Sequence, residues 1–445
     1  MTAPPALELA DLITRLGIEA PGEALHSFCE QLYPFCRSIT GDGVRSTLAA
    51  VGAHVPLDIH EVPTGTEVLD WTVPKEWNIR DAYLMDSGGR RVVDFADSNL
   101  HVVGYSIPAR GKATLSQLKG RLHTLPDKPD LIPYRNSYYT EDWGFCLSER
   151  QLQALPEDEY EYCIDSTLQD GSLTYAELTL PGSDTDEVLI SCHICHPSLC
   201  NDNLSGIALT TLLARYLAAV PHRCTYRILF LPVTIGAITW LSRNDDDLDR
   251  IRHGLVLSLV GDRGHTTYKC SRRGNATIDR AARHVLTHSG EPFDIEDFIP
   301  YGYDERQFCS PGYNLPVGCL MRTPHGQYPE YHTSGDNLDF ITAESLEDSL
   351  AKCLSIIDIL ERNARYRNLK PKGEPQLGRR GLYRAMADRT DGGFDELALL
   401  WVLNQSDGTN SLLDIAERSG LPFSGLQRAA SVLVEHGLLC HEGYE

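Results

Sequence analysis

The chain has no run of eighteen apolar residues, so no segment is expected to cross a membrane as a helix. Its first residues, MTAPPALELADLITRL, carry acidic groups early and lack the basic stretch and apolar core of a secretory leader, which sets the expectation of a cytoplasmic protein. Basic side chains are scarce: 40 Lys and Arg stand against 62 Asp and Glu, a formal net charge of -22. Phosphate backbones and anionic lipid surfaces need a basic footprint, so neither nucleic acid nor a membrane is expected as a partner. No G-x-S-x-G elbow, Walker loop or G-x-G-x-x-G turn is found. Serine-nucleophile chemistry and nucleotide binding therefore have no signal.

The residues that are present converge on ISCHICHPSLCNDNLSG, residues 190–206. Cys192 to His196 fit the C-x-x-C-H pattern of covalent haem attachment, but that attachment is made outside the cytosol. A zinc ribbon needs a second C-x-x-C, whereas Cys270, Cys309, Cys319, Cys353 and Cys440 stand alone. A thioredoxin-like pair should open a helix, and this one ends an apolar strand-like run. Thirteen cysteines, an odd number scattered through the chain, fit reduced and mostly buried thiols.

Residues 1–61 read as mainly helical, and 62–165 as short alternating runs broken by Gly, Pro and Asp, a β-rich insertion. From 166 to 375 strand-like and helix-like segments alternate, as EVLISC, SGIALTTLLARYLAAV, YRILFLPV and GLVLSLV. That alternation predicts an α/β fold with a largely parallel sheet covered by helices, to which residues 1–61 also belong. Residues 380–445 resemble a three-helix winged-helix unit. From 394 onward they hold eight acidic side chains against Arg418 and Arg428, so an interaction module is expected rather than a DNA reader.

Sites in such sheets form at the carboxyl ends of strands. His193 or His196, Asp202, Asp262 and His332 all fall on predicted loops of that kind, and imidazole with carboxylate favours zinc over magnesium or calcium.

The segments VLISCH, NDNLSG, VGD and YHTSGD, in that order, resemble the co-catalytic zinc aminopeptidases. More closely, DWTVPKEWNI, HICHPSLCNDNLSG, TIGAITWLS, YDERQFCSPGYNLPVG and EYHTSGDN resemble a bacterial aminopeptidase-like family with an inserted β domain and a C-terminal winged helix. The resemblance implies one or two zinc ions. It matches His193 to the first histidine ligand, Asp202 to the bridging aspartate, Asp262 to the later acidic ligand and His332 to the final histidine. His196 could replace or join His193, and Cys195 stands where an orienting aspartate is common. Where the aminopeptidases carry tandem glutamates, one of them the general base, this chain has Val233 and Thr234. A base would then come from Glu305 or Asp304.

The implied function is a zinc-dependent aminopeptidase or amidohydrolase cleaving an amide next to a free amino group of a small peptide or aminoacyl substrate. The alternative is an impaired relative that binds a metal or ligand without turnover. Tyr134, Arg135, Tyr138, Tyr139 and Trp143 of the insertion would cap the cleft, and Arg306 or Arg272 would meet a substrate carboxylate. A homo-oligomer is compatible with this reading.

Overall fold

The computed structural model describes residues 5–382 and 396–444. The described residues divide into two compact units, one within 9–274 and 292–351, the other within 5–8, 275–291, 352–382 and 396–444.

The first unit is built on an eight-stranded mixed sheet. Its order is Asp58–Pro63, Ser172–Leu180, Thr225–Leu231, Glu187–His193, Ile251–Leu257, Val317–Met321, Thr266–Lys269 and Phe293–Glu296. The four strands from Thr225–Leu231 to Val317–Met321 run parallel, and antiparallel strands flank them. Every residue of Glu187–His193 is buried, which explains why EVLISC reads as a continuous apolar run: both faces are covered. One cover is helix Ser205–Ala219, twelve of whose fifteen residues are buried. It packs against the strand on one side and against helices Leu9–Leu16 and Pro21–Leu32 on the other. An apolar surface on all sides suits that sandwiched position.

The β-rich insertion leaves the main sheet between its edge strand Asp58–Pro63 and the neighbouring strand Ser172–Leu180, which pair antiparallel. Its own sheet is antiparallel, in the order Arg91–Asp94, Glu76–Met85, Glu159–Gln169, Ala109–Thr114. Trp77 anchors it from the core, its indole donating to the Ser106 carbonyl at 2.9 Å. The segment between the last two strands in chain order returns toward the main sheet. There Tyr134 donates its N–H to the His332 carbonyl (2.8 Å) and Ser334 donates to that of Ile132 (2.8 Å).

The second unit contains the winged helix. Helices Glu396–Gln405, Leu412–Ser419 and Phe423–Glu435 accompany a three-stranded antiparallel sheet. The central strand of that sheet, Ala364–Asn368, lies in the stretch that the sequence pattern leaves with the α/β domain. Helix Thr277–His288 joins the same unit: Arg280 bonds Asp414 and Glu417, and His284 Nε2 accepts the Phe423 N–H at 3.0 Å. All thirteen cysteines are free, and eleven are buried. No helix among the described residues is long and apolar enough to cross a membrane.

Candidate metal centre

His193 is the last residue of its strand, and the chain then loops through 194–204 before helix Ser205–Ala219 begins. Gly206 allows that helix to start against the sheet. A Cβ there would come within 2.6 Å of Leu257 O and closer still to the Asn203 side chain. Asn203 fills the space instead, donating to the carbonyls of His193 (3.3 Å) and Leu257 (3.2 Å) and accepting from the N–H groups of Gly206 and Leu259 (both 3.2 Å). On its other side Asp336 accepts the backbone N–H groups of Asn201 (2.6 Å) and Asp202 (3.0 Å). Burial nevertheless pushes the Asp336 carboxyl up to about 8. Neither asparagine nor Asp336 was singled out by sequence. They fix the backbone so that Asp202 projects into a cluster of imidazoles.

That cluster holds His193, His196 and His332. Asp202 Oδ2 accepts from His332 Nε2 at 3.0 Å and lies 4.0 Å from His196 Nε2. Its Oδ1 is 3.0 Å from His193 Nε2 but outside hydrogen-bonding geometry, a buried carboxylate oxygen without a donor. His193 and His196 meet through their Nδ1 atoms at 3.2 Å. One ligand atom each from His196, Asp202 and His332 lies within 4.8 Å of the others. Burial opposes ionisation of Asp202, but the neighbouring imidazoles outweigh it and hold the carboxyl well below its usual range. Burial likewise holds His196 well below the usual histidine range, which favours the neutral form that a metal ligand needs. Positive φ at Ser198 (44°), Leu259 (56°) and His332 (54°), all non-glycine, surrounds the cluster with constrained backbone.

The structure places the other expected residues differently. Asp262 lies outside the cluster. Its strand ends at Leu257, and the residue that meets His193 there is Ser258, with Oγ 3.2 Å from His193 Nε2. The Asp262 carboxylate instead accepts from Gly264 N (2.6 Å), Thr323 Oγ1 (2.6 Å), Thr323 N (3.1 Å) and Asn201 Nδ2 (2.9 Å), which ties the loop down. Glu305 forms an ion pair with Lys269 at 2.7 Å, both side chains 1% exposed. Asp304 beside it is equally buried, and desolvation, with the Glu305 charge, raises its carboxyl well above the usual range. Cys195 is buried, accepts the Val233 N–H at 3.2 Å and lies 3.6 Å from His196 Nδ1, and burial pushes its thiol up.

A cleft of about 370 Å³ opens over the cluster. His196 and His332 face it with Tyr138, Tyr139, Tyr303, Tyr331, Val233, Thr234 and Arg306, and Trp71 stands at its rim against Tyr139. Tyr134 packs edge-on to His332 and bonds Tyr138 through their hydroxyls (3.0 Å). Tyr303 stacks on His193 at 4.9 Å. Arg135, Trp143 and Arg272 point elsewhere, to His123, to Tyr162 and to Asn314 respectively. Trp71 was not legible beforehand, since an exposed indole on a two-residue strand has no periodic signature.

The chain is similar to known proteins in sequence and in fold. The family described as Domain of unknown function (DUF4910) matches residues 26–363, and a winged helix-turn-helix model matches 364–441. A Clostridium acetobutylicum protein, assigned by its name to polysaccharide biosynthesis and an aminopeptidase-like domain, is 51% identical over 418 residues, 94% of this chain and 96% of that one. A crystal structure from C. acetobutylicum, described as a candidate peptidase, superposes with a TM-score of 0.92 at 49% identity, covering 96% of this chain and 99% of that chain. A zinc aminopeptidase from Bacillus subtilis superposes with a TM-score of 0.55 at 12% identity over 76% of this chain and 94% of its own, which shows a shared fold. The chain belongs to the DUF4910 family, an aminopeptidase-like α/β domain followed by a winged helix-turn-helix.

Proposed function

We propose that the protein is a zinc-dependent amide hydrolase of the aminopeptidase or amidohydrolase type, acting on a peptide or aminoacyl-sized molecule. The observation that carries this reading is Asp202: a fully buried carboxylate, one oxygen of which has no hydrogen-bond donor, ringed by three imidazoles. Such a carboxylate is costly to bury unless a cation neutralises it. The donor set of Asp202, His332, His196 and His193 fits zinc, with one ion as the simplest occupancy. Bound there, zinc would supply a Lewis acid for an amide carbonyl and a more acidic water.

The chain's own groups do the rest. The Asn203 and Asp336 hydrogen bonds hold Asp202 still, and the hydroxyl pair of Tyr134 and Tyr138 adjoins the imidazoles. No carboxylate is available as a base in the cleft wall, because Glu305 is held by Lys269 and neither it nor Asp304 lines the cleft. Loss of a base typically costs ~10²–10⁴ in rate, so slow turnover is expected.

The presence of Val233 and Thr234 in the wall favours a second reading, a cleft that binds its ligand without turnover. Metal content by plasma mass spectrometry, with aminoacyl-amide and N-acyl-amino-acid hydrolysis, separates the two. Zinc near one equivalent, lost from folded Asp202→Ala and His332→Ala variants, together with slow hydrolysis supports the hydrolase. Zinc without hydrolysis supports the binding protein, and folded protein that takes up no zinc overturns the hydrolase and leaves a cleft that binds its ligand without a metal.

A further inference from the structure

In a chain with 62 acidic side chains, none is found among the described residues that line the cleft. It is lined by aromatic and aliphatic groups, two imidazoles and one guanidinium, that of Arg306. Among the described residues Arg306 makes no ion pair, and its Nε is a buried donor without a hydrogen-bonding partner. Its ring contact is with Tyr301, whose centroid lies 5.9 Å from the guanidinium carbon. The nearest acids in sequence are directed inward: Glu305 pairs with Lys269, and Asp304 is 1% exposed.

Gly302 lets the loop lie close over the buried Lys269–Glu305 pair, because a Cβ there would meet Glu305 Oε1 at 2.7 Å and Lys269 Nζ at 3.1 Å. Its φ of 132° suits glycine in any case. The loop 301–306 therefore presents one uncompensated cation to the cavity while its anion is folded away beneath. A guanidinium with free N–H groups recognises planar or tetrahedral oxyanions by charge-assisted bonds. A free ammonium group, by contrast, finds no carboxylate in this wall to receive it.

We propose that the molecule bound in the cleft is an anion, whose carboxylate or phosphate group is received by Arg306 while an apolar or aromatic portion lies against Tyr138, Tyr139 and Trp71. This rests on the reading of the cleft as the substrate site of an amide hydrolase, and it narrows the substrate to one recognised through a negative group. Arg306 is then a specificity-determining residue, separate from the four metal-centre side chains.

The test is calorimetric titration of the zinc-loaded full chain with matched pairs: N-acetyltyrosine against N-acetyltyrosinamide, and phenyl phosphate against phenol. In the wild type at least one acid should bind roughly tenfold or more tightly than its neutral twin. The pair showing the larger ratio identifies carboxylate or phosphate as the preferred group. Arg306→Gln should erase the ratio without changing zinc content, and Arg306→Lys, which keeps the charge but loses the fork, should retain part of it.

Equal affinities within both pairs, no binding of either acid, or a preference that survives in Arg306→Gln would overturn the proposal. The last outcome would assign the anion to the metal centre itself. Hydrolysis is read separately. Acid preference without turnover leaves the anion site standing and removes the hydrolase, whereas turnover of neutral amides without acid preference does the reverse.

Discussion

Asn203 clamps His193 to Leu257: its side-chain amide donates to both carbonyls, at 3.3 and 3.2 Å, across the ends of two neighbouring parallel strands. Its oxygen accepts two further backbone N–H groups. Replacement by alanine leaves several buried backbone groups unpaired, each worth about 1–3 kcal/mol. Asn203→Ala is expected to lower the unfolding free energy by about 3–5 kcal/mol in urea titrations, and an unchanged midpoint would show that the clamp carries no strain.

Asp202 and Asp262 should separate cleanly. Asp202→Asn removes the charge around which the imidazoles gather, and zinc affinity measured by chelator competition should fall by at least about 100-fold. Asp262→Asn should leave zinc affinity within a few-fold and lower stability, because its carboxylate serves Gly264, Thr323 and Asn201. Loss of zinc from Asp262→Asn would place that carboxylate in the metal centre after all.

Lys269 and Glu305 form a pair that is strongly coupled if its role is structural. Lys269→Met strands a buried carboxylate and should cost about 3–5 kcal/mol, and the Lys269→Met/Glu305→Gln double variant should recover part of it. A Glu305→Gln variant with normal stability but a ~10²-fold slower rate would instead identify Glu305 as the base.

His284 gives the second unit a pH dependence. Its Nε2 must be unprotonated to accept the Phe423 N–H, and burial, with His288 nearby, pushes its pKa down to about 4. The folded value lies below the unfolded one near 6.5, so the unfolded chain binds the extra proton. The contribution is complete above about pH 6.5 and declines as pH falls toward 4, by about 2–3 kcal/mol in total. Thermal unfolding from pH 8 to 4.5 should show a steeper loss in the wild type than in His284→Gln, and parallel curves would remove His284 as the cause.

The winged unit is not expected to shift DNA in low-salt electrophoresis. Its last helix, Phe423–Glu435, brings Arg428 as its one basic side chain and ends in Glu435. A salt-sensitive shift would reassign that helix.

What could be read ahead of the structure was whatever leaves a local trace. EVLISCH announces a buried strand that ends in histidine, and NDNLSG a turn into a helix. The α/β alternation and the Gly- and Pro-broken insertion follow from periodicity alone. VGD follows an apolar run whose strand stops at Leu257, five residues before Asp262, and Ser258 takes the place beside His193, a spacing the run of apolar letters does not reveal. Asn201 and Asp336 act through bonds spanning 60 to 135 residues, and Asn203 joins its local contacts with Gly206 and His193 to partners 54 and 56 residues on, for which no local pattern exists. Strand Ala364–Asn368 was equally hidden. It follows a long helix after a single residue, and its partners, Asp407–Ser411 and Leu439–Tyr444, lie far along the chain.

The backbone bond from Tyr134 to the His332 carbonyl joins the insertion to a metal-centre residue, while Tyr138, four positions on, faces the cleft. On the proposed reading, in which His332 holds zinc, this bond would link ion retention to cleft occupancy: a molecule packed against the tyrosines would steady His332, and a bound ion would favour the tyrosines' position. Linkage requires each to strengthen the other by the same factor. The rate at which a chelator strips the centre should accordingly fall when the cleft is filled.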